Sequence, residues 1–166
     1  MDYGIANCAL TDGKFRKRLT EIIAEHKITT VVETGIDQGG STLEFSEMVQ
    51  EVIGIDNNRD AVQQVKKLLD EHNIRNVIVL HGNSPDVLRE LVWVIDVDKT
   101  LFLLDAHWQM YWPLRDEIRA IPRGKGILVM HDVRVPGCPT LGVDSYGGIE
   151  LSYEYLRNVL TEWSPT

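Results

Sequence analysis

Residues 33–42 read Glu33-Thr34-Gly35-Ile36-Asp37-Gln38-Gly39-Gly40-Ser41-Thr42, or ETGIDQGGST, directly after the apolar run Ile28-Thr29-Thr30-Val31-Val32. A buried strand that runs into a glycine-rich turn and then a helix is built to cradle a nucleotide-like cofactor. The dinucleotide fingerprint G-x-G-x-x-G is met only in part. Gly35 and Gly40 fill its outer positions, but Asp37 stands where the middle glycine belongs. That carboxylate has to be explained by the rest of the chain.

Outward from this turn, short β-branched runs alternate with longer amphipathic stretches. This is the pattern of a Rossmann-like, doubly wound α/β domain, with a mostly parallel sheet and helices on both faces. The spacing of Phe15, Leu19, Ile22 and Ile23 predicts a helix over 13–27, followed by a strand at 28–34. Ser41 and Glu44 read as a capping box opening the next helix. Strands are then expected at 51–56, 76–80, 100–104 and 126–130, and helices at 59–72, 84–92, about 111–121 and about 150–162. Pro85 suits the first turn of the helix at 84–92. Residues 133–148 are the one long Gly/Pro-rich stretch, expected to be a loop or lid.

A chain of 166 residues fits one domain. It divides into an N-terminal helical segment (1–27), a cofactor-binding core (28–132), the loop (133–148) and a C-terminal helix (149–166). The net charge of −8 speaks against nucleic acid or an anionic membrane as a surface partner, since both require a basic patch. Cys8 and Cys138 form no metal or redox spacing, and no leader or bilayer-length apolar run is present, so a cytoplasmic location is expected.

The decisive regularity is positional. Each of the first five strands is followed by small or polar residues: Glu33 and Gly35, Asp56 and Asn57, Asn83 and Ser84, Asp105 and His107, His131 and Asp132. In open parallel sheets, ligands bind beyond the carboxyl ends of the strands, so these residues should face one crevice. Asp56 lies 21 residues after Gly35, close to the offset at which an acid meets ribose hydroxyls. A carboxylate at position 37 would repel a pyrophosphate but not a sulfonium or an ammonium. S-adenosylmethionine combines adenine, ribose, sulfonium, ammonium and carboxylate, and it carries no phosphate.

On these residues the stretch from about 28 to 132 resembles a class I S-adenosylmethionine-dependent methyltransferase. The motif E-x-G-x-x-x-G-G-S at 33–41 is similar to the metal-dependent small-molecule O-methyltransferases related to macrocin O-methyltransferase and the so-called cephalosporin hydroxylases. The resemblance implies that Glu33, Gly35, Gly39, Gly40 and Ser41 line the methionine part of the cofactor. It implies that Asp56, with Asn57 beside it, holds the ribose, and that Asn83 and Ser84 lie near the adenine. Asp105 would border both cofactor and acceptor.

The same resemblance implies a divalent metal (magnesium, manganese or another ion) on Asp105 and Asp132, with His131 as a third ligand. His107 would be the general base that activates a small-molecule hydroxyl, with Asp105 beside it. A cation on carboxylates lowers the pKa of such a hydroxyl, and an imidazole can take its proton near neutral pH. The chain departs from the family in carrying His at 107 and 131, where acids are usual, which moves the expected metal toward transition ions. Trp108, Tyr111 and Trp112 read equally well as a substrate wall or as packing.

The family fold ends in an antiparallel strand hairpin after the last helix, and this chain stops at Trp163-Ser164-Pro165-Thr166. That hairpin is therefore expected to be missing, and the uncovered sheet edge invites a homo-oligomer. Two rival readings stay open: a non-catalytic or truncated S-adenosylmethionine-binding module, and an iron-dependent oxygenase using His107, His131 and a carboxylate.

Overall fold

The computed structural model describes Leu10 and residues 12–107, 111–138 and 142–163. In chain order the elements are α1 (Gly13–His26), β1 (Thr30–Thr34), α2 (Gly40–Ser46), β2 (Glu51–Asp56), α3 (Arg59–Glu71) and β3 (Val77–His81). Then come α4 (Ser84–Leu91), a 3₁₀ turn at Val97–Lys99, β4 (Thr100–Leu104), α5 (Leu114–Ala120) and β5 (Ile127–Met130). The short strands β6 (Ser145–Tyr146) and β7 (Ile149–Glu150) precede α6 (Tyr153–Trp163).

The five main strands form one parallel sheet in the order β3-β2-β1-β4-β5. The chain winds outward from β1 to β3, then crosses back to β4 and winds the other way. The switch point therefore lies between β1 and β4, which pair from Thr30↔Thr100 to Thr34↔Leu104. Every residue of both strands is buried, as a strand covered on two faces requires.

Alternation along the strands sorts the core into two layers. Val31, Val52, Leu101 and Leu103 pack with Leu19 and Ile23 of α1 and Phe45 of α2. Val32, Ile53, Phe102 and Leu104 face the other way, onto Leu88 of α4, Ile118 of α5 and Leu156 and Val159 of α6. Val62, Val65 and Leu69 of α3 cover Val79 on the first face. Among the described residues, no helix is long and apolar enough to cross a membrane.

The main chain also braces the rim beyond the strands. Gly35 N–H donates to Ile55 O (2.9 Å), Gly82 N–H to Asp56 O (2.9 Å), Asp105 N–H to Thr34 O (3.2 Å) and His131 N–H to Leu104 O (3.2 Å). The residues that follow β1, β3, β4 and β5 are thus held in register by backbone, whatever their side chains.

Three expectations change. First, β1 starts at Thr30, because Ile28 completes the end of α1: Lys27 adopts φ 53° and Ile28 N–H donates to Ile23 O at 2.9 Å. This closes the helix with a left-handed cap. Second, Ser41 and Glu44 form no capping box. Gly39, at φ 81°, is the N-cap of α2 without a side-chain bond, the Ser41 hydroxyl turns to Glu33, and Glu44 pairs with Arg16 at 2.5 Å. Third, the stretch at 133–148 is not one open loop. Gly147 and Gly148, at φ 57° and 80°, make the two-residue turn that joins β6 to β7. That hairpin delays the last helix to Tyr153.

Candidate functional site

The turn after β1 is shaped by contact with the turn after β4. A Cβ on Gly35 would lie 2.7 Å from Asp105 O, and the residue sits at φ 76°. Gly39 is hemmed in likewise, since a Cβ there would meet Val65 Cγ2 of α3 at 2.7 Å. Asp37, between them, adopts φ 44°, a conformation that Asp tolerates better than most residues. Its N–H donates to Asp56 Oδ2 (3.2 Å), while Asp56 Oδ1 accepts from Asn58 N–H (2.7 Å). The middle position of the fingerprint is therefore left-handed, as a glycine there would be, and its main chain is tied to the end of β2.

Glu33 is fully buried. Its Oε1 accepts from the Ser41 hydroxyl, and its Oε2 accepts from the Thr42 hydroxyl at 2.5 Å. Burial pushes its pKa up to about 7, the two hydroxyls oppose this, and Asp105 and Asp56 push it further up. Glu33 and Ser41 thus clamp α2 to β1 from beneath the turn. Gly39 and Gly40 are buried in the same seam.

Six of the expected residues meet around one cavity: Gly35, Asp56, Asn57, Asn83, Ser84 and His107. Ile55, Ala106, Tyr111 and Pro113 complete its wall. The sequence reading gave Ile55, Ala106 and Pro113 no role and left Tyr111 between a substrate wall and packing, although Ile55 and Ala106 directly adjoin residues it singled out. Asp105 borders a neighbouring cavity with His131, Asp132 and Asp144. Ala106 and His107 line both spaces, so His107 stands at their junction.

In that second space His131 Nδ1 lies 3.2 Å from Asp105 Oδ1 and 3.1 Å from Asp132 Oδ1, out of line for a hydrogen bond to either. The Asp105 carboxylate is the main cause that lifts the His131 pKa to about 9; burial opposes it, and Asp132 adds to it. Asp132 holds φ 54°, the same left-handed backbone that Asp37 adopts. The loop folds back over it, with Asp144 N–H donating to Asp132 O at 3.0 Å and Asp144 Oδ2 standing 3.7 Å from His107 Nδ1. Ligand atoms of Asp105, His131 and Asp132 lie within 4.8 Å of one another, as do those of His107, Asp132 and Asp144. Carboxylates with imidazole form a donor set that suits a divalent cation of intermediate hardness.

One buried acid escaped the sequence reading. Glu117 of α5 is fully buried, and neither carboxyl oxygen has a hydrogen-bond partner among the described residues. Burial lifts its pKa to about 7, the neighbouring Ser84 and Thr34 hydroxyls oppose this, and Asp105 adds to it. The signal was available: Glu117 shares the helical face of Leu114, Ile118 and Ile121, all of them buried. Trp108 lies outside the described residues, whereas Trp112 is buried edge-on against Tyr146 at 4.4 Å between centroids.

No family model matches the chain. Over 58 residues it is 29% identical to the probable cobalt-precorrin-6B C(15)-methyltransferase (decarboxylating) of Methanococcus vannielii, a stretch covering 35% of this chain and 32% of that protein. Its structure is similar to a candidate O-methyltransferase of Klebsiella pneumoniae, with a TM-score of 0.63 and 17% identity over 96% of this chain and 71% of the other. It is also similar to a candidate caffeoyl-CoA O-methyltransferase of Staphylococcus aureus, with a TM-score of 0.62 and 15% identity over 96% and 74%. The chain thus spans about a third of the curated relative in sequence and nearly three quarters of these structures in fold. Sheet order, the glycine turn at the switch point and these likenesses agree: the chain has the class I S-adenosylmethionine-dependent methyltransferase fold.

Proposed function

We propose that the protein transfers a methyl group from S-adenosylmethionine to a hydroxyl of a small molecule, with a divalent cation at Asp105, His131 and Asp132. One observation carries this reading: His107 and Ala106 join a cavity bearing Asp56 at the switch point to a second space bearing the carboxylates of Asp105, Asp132 and Asp144 and the His131 imidazole. The names of the similar proteins, among them two O-methyltransferases, support methyl transfer as the class of reaction.

When bound, S-adenosylmethionine would supply an electrophilic methyl on sulfur, and a cation held by Asp105, His131 and Asp132 would lower the pKa of the acceptor hydroxyl. The chain's own residues do the rest. Asp56, whose oxygens each keep a free lone pair, accepts from the ribose hydroxyls. Asn57, Asn83 and Ser84 offer polar groups to the adenine, with Ile55 and Pro113 as its apolar walls. Glu33 and Ser41 act indirectly, by fixing the turn that carries Gly35. His107 takes the hydroxyl proton on a ring nitrogen as oxygen bonds to the methyl carbon, while the carbon–sulfur electron pair stays on sulfur.

Isothermal titration with S-adenosylhomocysteine tests the cofactor, and a methyl-transfer assay over hydroxylated acceptors, with and without manganese, tests the reaction. Binding of NAD in place of S-adenosylhomocysteine would overturn the first. Cofactor binding with no transfer to any acceptor would point to the rival, a binding module without catalysis.

A further inference from the structure

A groove of about 460 Å³ runs beside the cofactor cavity between the start of α5, the β6–β7 turn region and α6. Its walls are aromatic: Tyr111, Trp112, Tyr146 and Tyr155. Trp112 meets Tyr146 edge-on at 4.4 Å and Tyr155 at 5.4 Å, so the rings brace one another. A wall of this kind suits a flat ring, which gains from offset or edge contacts as well as from burial.

The charges in the groove are unevenly matched. Asp116 accepts from the Tyr111 hydroxyl at 2.8 Å and pairs with Arg119 at 3.3 Å, and Arg119 also reaches Glu162 at 3.9 Å. Those groups satisfy each other. Arg115 does not join them. Among the described residues it has no ion pair, its Nε is enclosed without a hydrogen-bond partner, and its guanidinium lies 5.1 Å over the Tyr155 ring. Among the described residues this partly enclosed guanidinium has a ring face and no ion pair, so it lacks the counter-charge that such groups normally find.

Position ties the groove to the chemistry. Tyr111 lines both this groove and the cofactor cavity, and Trp112 lines both the groove and the space holding Asp105 and Asp132. A ring lying between these walls would reach from Arg115 toward the junction at His107.

We infer that this groove is a subsite for an aromatic acid, whose ring lies among Tyr111, Trp112, Tyr146 and Tyr155 and whose carboxylate pairs with Arg115. Its role as the acceptor site rests on the methyl-transfer reading above; the binding itself does not. Such a ligand supplies the missing anion and keeps a ring hydroxyl free for the reacting end. A guanidinium presents a planar fork that suits a carboxylate better than a point charge does.

The test is equilibrium binding to the full chain without cofactor, comparing 4-hydroxybenzoate with neutral 4-hydroxybenzyl alcohol. The acid is expected to bind about tenfold more tightly, as one charge-assisted contact provides. Arg115→Gln is expected to abolish that preference while leaving S-adenosylhomocysteine binding unchanged. If Arg115→Gln fails to fold, Arg115→Lys serves instead, with the preference reduced several-fold. Equal binding of acid and alcohol, no binding of either, or a preference untouched by the substitution at Arg115 would overturn the inference. An Arg115-dependent preference with no methyl transfer would uphold the subsite and count against the reaction instead.

Discussion

Glu33 on β1 and Thr42 on α2 are joined by a 2.5 Å hydrogen bond inside the protein, with the Ser41 hydroxyl on the other carboxyl oxygen. The acid beneath the glycine turn is thus occupied by the protein itself. Glu33→Ala leaves two hydroxyls enclosed without an acceptor and opens a cavity. It is expected to cost about 2–4 kcal/mol, read as a lower urea midpoint. Glu33→Gln, which can still accept from one hydroxyl, is expected to cost less than half of that.

Gly35→Ala tests the contact between the turns. A Cβ there lands 2.7 Å from Asp105 O, in backbone that cannot swing aside like a side chain, and φ 76° strains any L residue. A loss of about 2–4 kcal/mol is expected, together with loss of S-adenosylhomocysteine binding, because the wall of the cavity has to shift. A variant with wild-type melting and affinity would show that the two turns can part freely.

Asp56→Ala removes the acceptor for Asp37 N–H and, with it, the proposed acceptor for ribose. Affinity for S-adenosylhomocysteine is expected to fall about 10- to 100-fold in calorimetry, the range for a hydrogen bond to a charged group. Adenine alone should lose less, since it does not use the ribose contact.

The buried acids make stability depend on pH with an unusual sign. Glu33 and Glu117 each have a folded-state pKa of about 7 against an ordinary 4.5. The folded state therefore holds more protons than the unfolded state between these values. The contribution of each acid is full below pH 4.5, declines as pH rises, and is gone above about 7. Glu117→Gln removes the charge that has to be buried at high pH. Its unfolding free energy from urea melts should change less between pH 5 and pH 8 than that of the wild type, by an amount on the order of 3 kcal/mol.

Asp105→Asn and Asp132→Asn test the proposed cation site. Each removes a charged donor from a cluster of three whose atoms lie within 4.8 Å. Manganese affinity, followed by the relaxation of water protons, is expected to drop by about tenfold or more in each variant. Wild-type affinity in both would remove the cation from the proposed mechanism.

The parallel sheet was legible in the sequence because its β-branched runs are long, and each ends in a small or polar residue. The cavity was legible for the same reason: strand ends converge whatever the helices do. What escaped depended on a competing partner in space. Ser41 and Glu44 have the spacing of a capping box, but Glu33 beneath and Arg16 opposite offer stronger bonds than the backbone of α2 does. The Tyr146-Gly147-Gly148-Ile149 turn joins strands of two residues each, too short to show alternation. Glu117 was hidden by its type, since an acid in a helix is ordinarily read as exposed. Arg115 and Tyr155 lie 40 positions apart in sequence and meet only through the packing of α5 on α6.

The main-chain bonds that carry the sheet past its last residues have an evolutionary consequence. Gly35, Gly82, Asp105 and His131 are each held by their own N–H groups, three of them beside the reaction space. Substituting Asp105 or His131 changes what the rim can hold without removing what keeps it in place. A lineage could therefore trade one donor for another, such as an imidazole for an acid, and test new chemistry at little risk to folding.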